Sequence, residues 1–318
     1  MKDFQVSVII PVFNARRFIE IALNSALDQQ EVGEVIVVDD GSEDESFEIA
    51  KRYSNLHEKI SVYQHCDGKN HGRAATRNLG INKAVFEFIS FLDADDFYLP
   101  ERFKNDKRIF TSKAKVDGVY NAIGAKFYRV GLYEEMKTLE LFSMKSKIMP
   151  NELFKALFFG GKGHFSIDGL TVKTAVVRGV GSFDEELEVM EDTHFIFKLA
   201  LKGKLVSGSL ISPVAIRGVH DLNVFNNQEL YARNREMCYE RLFYWTTRNQ
   251  IDIDTIDEIL KRLWQIRYKL DMNLLVHILY WCKLMKGNPS VFFSYLTIKY
   301  FPLVRKRKEL FSRLYCYT

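Results

Sequence analysis

Much that would assign this 318-residue chain quickly is missing from it. Its four cysteines, Cys66, Cys238, Cys282 and Cys316, lie far apart without metal-ligand spacing. That pattern argues against a disulfide framework or a zinc site and for a reduced, cytoplasmic setting. No uncharged apolar run reaches the roughly 18 residues of a membrane-spanning helix, and the N-terminus has no apolar segment of the signal-peptide kind, so neither spanning nor export by that route is expected. Internal repeats and low-complexity tracts are absent, which sets solenoids aside. No G-x-G-x-x-G follows the first strand-like run and no G-x-x-x-x-G-K-[ST] occurs, so dinucleotide and P-loop binding lose their main support. The net charge is only +4, and no nucleic-acid partner is expected. That charge is unevenly placed: residues 229–318 hold 16 Lys+Arg and 9 Asp+Glu, an excess of +7 that leaves the rest at −3.

What is present has a strong rhythm. Val6–Pro11 is a β-branched run closed by a proline, and Arg16–Gln29 carries Ile19, Leu23 and Leu27 at helical spacing. Glu34–Val38 reads as a buried strand, and Ser42 with Glu45 forms a capping box for a helix to about Ser54. Ile60–Gln64, Arg73–Ala84 and Phe86–Leu92 continue as strand, helix, strand. Such alternation predicts an α/β fold with a mainly parallel sheet and right-handed crossovers. Further on, Val116–Val130 looks like strand, Leu139–Phe159 like helix, Gly160–His164 like a flexible loop, and Phe195–Lys202 like an amphipathic helix. From a boundary near 222–228 the chain reads as helical, giving an α/β domain over 1–225 and a helical, basic and aromatic region over 226–318.

Chemistry should gather where the strands end, because ligands of parallel sheets bind beyond the carboxyl edge. The run Phe88–Leu92 stops on Asp93, Asp95 and Asp96, and carboxylates so placed need a partner or a cation. Phe13-Asn14 follows the first strand and Asp39-Asp40-Gly41-Ser42 the second. Glu191-Asp192 stands at a helix start, where the dipole favours acids and where capping alone is an equally good account. A metal-dependent nucleotidyltransferase and a silent sugar-nucleotide scaffold are the competing readings; the former lacks its Gly- and Lys-rich phosphate loop.

Five pieces in order, Val6-Ser7-Val8-Ile9-Ile10-Pro11-Val12-Phe13-Asn14, Val37-Val38-Asp39-Asp40-Gly41-Ser42, Ala75-Thr76-Arg77-Asn78-Leu79-Gly80, Phe91-Leu92-Asp93-Ala94-Asp95-Asp96 and Glu191-Asp192, resemble a family 2 glycosyltransferase of the GT-A fold over about residues 4–220. The resemblance implies an inverting enzyme that moves a sugar from a UDP-sugar to a hydroxyl of a glycan or lipid-linked acceptor, with Mn2+ or Mg2+, in polysaccharide or glycolipid synthesis. It implies a base and ribose pocket lined by Pro11, Phe13 and Asn14, and Asp40, or failing it Asp39, on the uracil imide. Arg77 and Asn70 would complete the nucleotide site, and Asp93 would reach the ribose. Asp95 would hold the metal with His220, Asp96 would act as support, and Asp192 would be the base with Glu191 ranked second. The aromatic and basic tail, including Arg305-Lys306-Arg307-Lys308, suits peripheral contact with an anionic membrane.

Overall fold

The computed structural model describes residues 4–112, 115–221, 223, 227–268 and 273–310. Cys316 and most of the expected boundary segment lie outside them. The chain divides into two compact units, Met1–Asn227 and Gln228–Thr318.

In the first unit the predicted alternation is β1 (Val6–Val12), α1 (Ile19–Leu27), β2 (Val32–Asp39), α2 (Ser46–Leu56), β3 (Ile60–Gln64), α3 (Arg73–Lys83) and β4 (Phe88–Phe91). There follow β5 (Phe97–Tyr98), α4 (Lys104–Thr111), β6 (Gly118–Tyr120), β7 (Ile123–Phe127), α5 (Tyr133–Leu139), α6 (Pro150–Phe159), β8 (Leu170–Lys173), α7 (Thr174–Gly179), α8 (Glu191–Lys202), β9 (Leu205–Ser207) and β10 (Ala215–Val219). The main sheet has the order β3-β2-β1-β4-β8-β6-β9, with β3, β2, β1 and β4 parallel and β8 antiparallel to both neighbours. A small three-stranded sheet has the order β5-β10-β7, with β10 antiparallel to β5 and parallel to β7.

β1 is buried along its whole length. Val6, Val8, Ile10 and Val12 join Ile19, Ala22, Leu23 and Ala26 of α1 in one core cluster, while Ile9 meets α3, where a Cβ on Gly80 would stand 2.4 Å from its Cγ2. Each of the Val, Ile and Leu side chains contributes about 1.5–3 kcal/mol on burial. The strand runs through Pro11 rather than stopping at it. Ile9 bonds toward β4 through Leu92 N–H, and by the two-residue period Pro11 faces the same side, where the β1–β4 ladder has already ended at Ile9–Phe91. The missing N–H therefore removes no ladder bond.

Three local expectations are corrected. The helix after β2 begins at Ser46, and its first amide is met by Asp44 Oδ1 at 3.0 Å, whereas Ser42 Oγ accepts from Asn14 N–H instead of capping. The stretch 116–130 is two strands, and 139–159 is not one helix: α5 ends at Leu139 and α6 starts on Pro150, whose ring fits the first helical position but not an interior one.

The second unit contains α9 (Gln228–Arg248), α10 (Ile253–Tyr268), α11 (Leu274–Lys286) and four short helices between Pro289 and Leu310. Among the described residues no helix is long and apolar enough to cross a membrane.

Candidate active site

The carboxyl edge of the parallel strands collects the expected acids around one cation. Arg77, in the second turn of α3 and 1% exposed, donates from Nη2 to Asp93 Oδ1 at 2.7 Å and from Nη1 to Glu191 Oε1 at 2.8 Å. Its guanidinium lies 5.4 Å from the ring of Phe183, and Arg73 adds a second contact to Glu191 at 3.4 Å. Burial pushes Asp93 upward, but Arg77 overcomes it and holds the carboxyl below its ordinary range. For Glu191 burial prevails over both arginines, and its pKa is raised. Arg77 and Glu191 thus spend their charges on each other, inside the protein.

Next to Asp93 stands a residue that the sequence reading does not pick out. Asp168, on a short 3-10 turn before β8, accepts from Asp93 N–H at 3.1 Å and from Ser166 Oγ at 2.5 Å. Burial and the Asp93 charge push it up to about 6. Asp96 is buried too and accepts from Gly218 N–H at 2.9 Å; burial, then Asp168, Asp95 and Asp93, raise it well above the carboxylate range. Oxygens of Asp93, Asp96 and Asp168 lie within 4.8 Å of one another. Arg217 of β10, also unforeseen, sits in the field of Asp96, Asp168, Asp192 and Asp93 and donates to Ser166 Oγ at 3.2 Å. The available signals were an acid inside the apolar run 165–172 and a charge inside a β-branched strand.

Asp95 and His220, the expected metal pair, meet across 125 positions of chain: His220 Nε2 lies 2.9 Å from Asp95 Oδ2, and Asn223 Nδ2 donates to the same oxygen at 3.1 Å. Phe18 stacks on the imidazole at 4.9 Å and 16°, which fixes its plane. The pair is partly open, with side chains 28% and 17% exposed for Asp95 and His220. One carboxylate oxygen and one imidazole nitrogen are donors that a Mn2+ or Mg2+ ion bound to a diphosphate accepts. The triad of Asp93, Asp96 and Asp168 is deeper and already faces Arg77 and Arg217, so the Asp95–His220 pair fits a shared ion better.

The remaining expected residues fall at the same edge with different degrees of freedom. Phe13 is 49% exposed and Asn70 is exposed, whereas Pro11 is buried. Asn14 holds a left-handed φ of 50° and staples two loops, accepting from Glu43 N–H at 2.8 Å. Asp40 accepts from His71 N–H at 2.8 Å and Gly72 N–H at 2.9 Å, using both oxygens to shape the entry to α3. Asp39 Oδ2 accepts from Gly41 and Ser42 N–H and from Gln64, but Oδ1 is buried with no partner among the described residues.

Asp192 is half-buried at the start of α8, directly after Met190, which is held in the left-handed region at φ 65°. One of its oxygens accepts from Thr193 N–H at 2.6 Å. Its neighbour Glu191 points the other way, into the Arg77 pair.

Comparison with known proteins places this geometry. EpsH of Bacillus subtilis (strain 168), described as a putative glycosyltransferase, is 31% identical over 210 residues, 65% of this chain and 59% of its own. The chain thus spans less than two thirds of that relative. At the level of fold, S. aureus TarS 1-349 in complex with UDP-GlcNAc superposes with a TM-score of 0.64 at 18% identity, covering 96% of this chain and 92% of that one. The mannosyltransferase PcManGT of Pyrobaculum calidifontis, in complex with GDP-Man and Mn2+, gives 0.51 at 16% identity, covering 97% and 88%. Residues 7–167, just over half of the sequence and including β1, the Asp39-Asp40 turn, Arg77 and the Asp93–Asp96 edge, match the family described as glycosyl transferase family 2, and to that family this chain belongs.

Proposed function

We propose that the chain transfers a sugar from a UDP-sugar to a hydroxyl acceptor with inversion, in the synthesis of a polysaccharide or glycolipid. The observation that carries this is the meeting, at one sheet edge, of a partly open Asp95–His220 pair and a separate half-buried carboxylate, Asp192. Asp192 takes the proton of the acceptor hydroxyl as its oxygen bonds to the anomeric carbon. The bond from that carbon to the diphosphate breaks, and the electron pair leaves with UDP. Glu191 is a poor base here, because Arg77 already occupies it. Asp95 and His220 would hold a divalent ion, whose chemistry there would be to offset the negative charge of a leaving diphosphate.

Two assignments shift in emphasis. Asp39, with one unspent acceptor oxygen, suits a ligand N–H better than Asp40, whose two oxygens are both committed to backbone. Arg77 is a positioning residue: it holds Asp93 and Glu191 in place, and Phe13 and Asn70 are left to meet the nucleotide. The UDP-GlcNAc in the TarS complex and the Mn2+ in the mannosyltransferase complex favour this class of donor and ion.

The proposal extends to a cytoplasmic protein that touches the inner face of a membrane. Phe293 and Ile298 are 85% and 69% exposed within seven residues that also expose Phe292 and Tyr295, and basic residues follow at 305–308. Incubation of the full chain with UDP-GlcNAc and Mn2+ should release UDP. Release of sugar 1-phosphate in place of UDP, or of neither, from a panel of UDP-sugars overturns the reading.

A further inference from the structure

The surface next to Asp192 has a chemistry of its own. Residues 141–164 hold four lysines, Lys145, Lys147, Lys155 and Lys162, against one acid, Glu152. Lys145, Lys147 and Lys162 are exposed, and none of the three makes an ion pair among the described residues. Two of them are fixed side by side through their backbones. Lys145 N–H donates to the Lys162 carbonyl at 2.8 Å, and Met144 bridges Gly163. Gly163 is obligatory in this pairing: its φ is 88°, and a Cβ would come within 2.3 Å of the Ser143 carbonyl. Lysines held together without a counter-charge repel one another by design of the backbone, a cost that an anion removes.

The residue after this bridge is His164. Its Nδ1 lies 2.8 Å from the Phe165 carbonyl, which can only accept, so Nδ1 carries the proton. Nε2 of the neutral ring is then a lone-pair acceptor, and it is buried without a partner among the described residues. Burial lowers the proton affinity of the ring while the Asp192 charge pulls it upward, which puts His164 within the field of the proposed base. Phe142, at the other end of the strip, has its ring 6.3 Å from that of His164, tilted by 36°, and lies 5.4 Å from the guanidinium of Arg217. The strip is thus joined to the acidic cluster at both ends.

We infer that residues 141–164 form the acceptor surface and that the acceptor is a polyanion, a phosphate-bearing polyol or glycan. Its phosphates meet Lys145, Lys147 and Lys162, and one of its hydroxyls donates to His164 Nε2 while another is presented to Asp192. This rests on the glycosyltransferase reading, yet it concerns a binding surface that can be tested without turnover.

The experiment is titration calorimetry of the full chain with UDP plus Mn2+, with poly(glycerol phosphate), with inorganic polyphosphate, which has no carbon-bound hydroxyls, and with neutral dextran. Poly(glycerol phosphate) should bind and dextran should not, and added salt should weaken the binding. The triple variant Lys145→Glu, Lys147→Glu, Lys162→Glu should lose at least about tenfold in affinity for both polyanions and keep its affinity for UDP. His164→Phe should weaken poly(glycerol phosphate) and leave polyphosphate unchanged. Polyanion binding that survives the triple variant but disappears in Lys306→Glu, Arg307→Glu, Lys308→Glu overturns the inference, as does absence of binding by a chain that still binds UDP. Equal effects of His164→Phe on the two polymers remove the hydroxyl contact. Failure to bind UDP with any ion counts instead against the glycosyltransferase reading itself.

Discussion

Replacing Arg77 by Met offers the sharpest test of how the site is held. The side chain is fully buried and bridges Asp93 and Glu191, so the variant removes the cation they share in the interior and leaves Glu191 only the longer contact to Arg73. Breaking a buried pair from one side costs about 3–5 kcal/mol. At roughly 2–4 °C per kcal/mol for 150–250 residues, that is a fall of about 6–20 °C in the midpoint of the first unit. The sign of the pH dependence follows from the two shifts. In the natural protein Asp93 is held low by Arg77, so its contribution is present at neutral pH and is lost as pH falls through that depressed value. Without Arg77 only Arg73 and, at Asp93, Arg217 still oppose burial, so the pKa values of both carboxyls should rise relative to the natural protein. The variant is then weakest at neutral pH and recovers as acid protonates them, so the deficit narrows toward about pH 5 and below. The assay must follow the correct unit. All three tryptophans, Trp245, Trp264 and Trp281, belong to the second unit, and their fluorescence would miss the event. Urea unfolding followed by far-UV circular dichroism, with amide exchange read over 73–83, is suitable. A deficit that is the same at pH 5 and pH 7.5, or that Glu191→Gln does not relieve in the double variant, would refute the electrostatic account and leave a packing defect.

Asp192→Asn should lower sugar transfer by about 10²–10⁴-fold and leave UDP affinity in place; wild-type turnover, or loss of UDP binding, removes Asp192 as the base. His220→Ala should weaken Mn2+-dependent UDP binding and leave the binding seen in EDTA unchanged, which paired calorimetric titrations would show. Gly218→Ala places a Cβ 2.2 Å from the Asp95 carbonyl, so it should disturb metal-dependent UDP binding without touching a ligand atom. Phe293→Ser with Ile298→Ser should reduce flotation with anionic liposomes, and an unchanged bound fraction counts against membrane contact by that patch.

The alternating half of the fold was legible because each strand there is an unbroken apolar run followed by a helix with a regular stripe, Ile19, Leu23 and Leu27 being the clearest. The second half was not. β6 and β7 are separated only by Asn121 and Ala122, a break too short to mark itself in the apolar pattern, and the irregular span from Glu140 to Met149 carries apolar residues that mimic a helix. At the site, Asp93 and Asp95 announce themselves by ending a buried run. Asp168 does not, because it precedes its strand: β8 runs antiparallel, so the same edge of the sheet is reached from its beginning. A search for acids after strands cannot find an acid placed before one. Arg217 was concealed in the same way, as a charge whose partners lie far away in sequence.

The small sheet constrains where the chain can change length. β10 is paired with β5 only at Ala215 and Ile216, a short ladder that by itself would tolerate slippage, yet a shift of one residue would exchange the faces of Arg217 and His220. What prevents the shift is the five-residue ladder with β7 together with Gly218, whose N–H is bound by Asp96 and whose bare Cα lies against the Asp95 carbonyl. Insertions and deletions can therefore accumulate at the exposed tip 211–212 at little expense, since any change there is absorbed before the strand is clamped. From 214 to 220 the spacing is fixed to the residue, and homologues that vary in length should do so on the near side of that clamp.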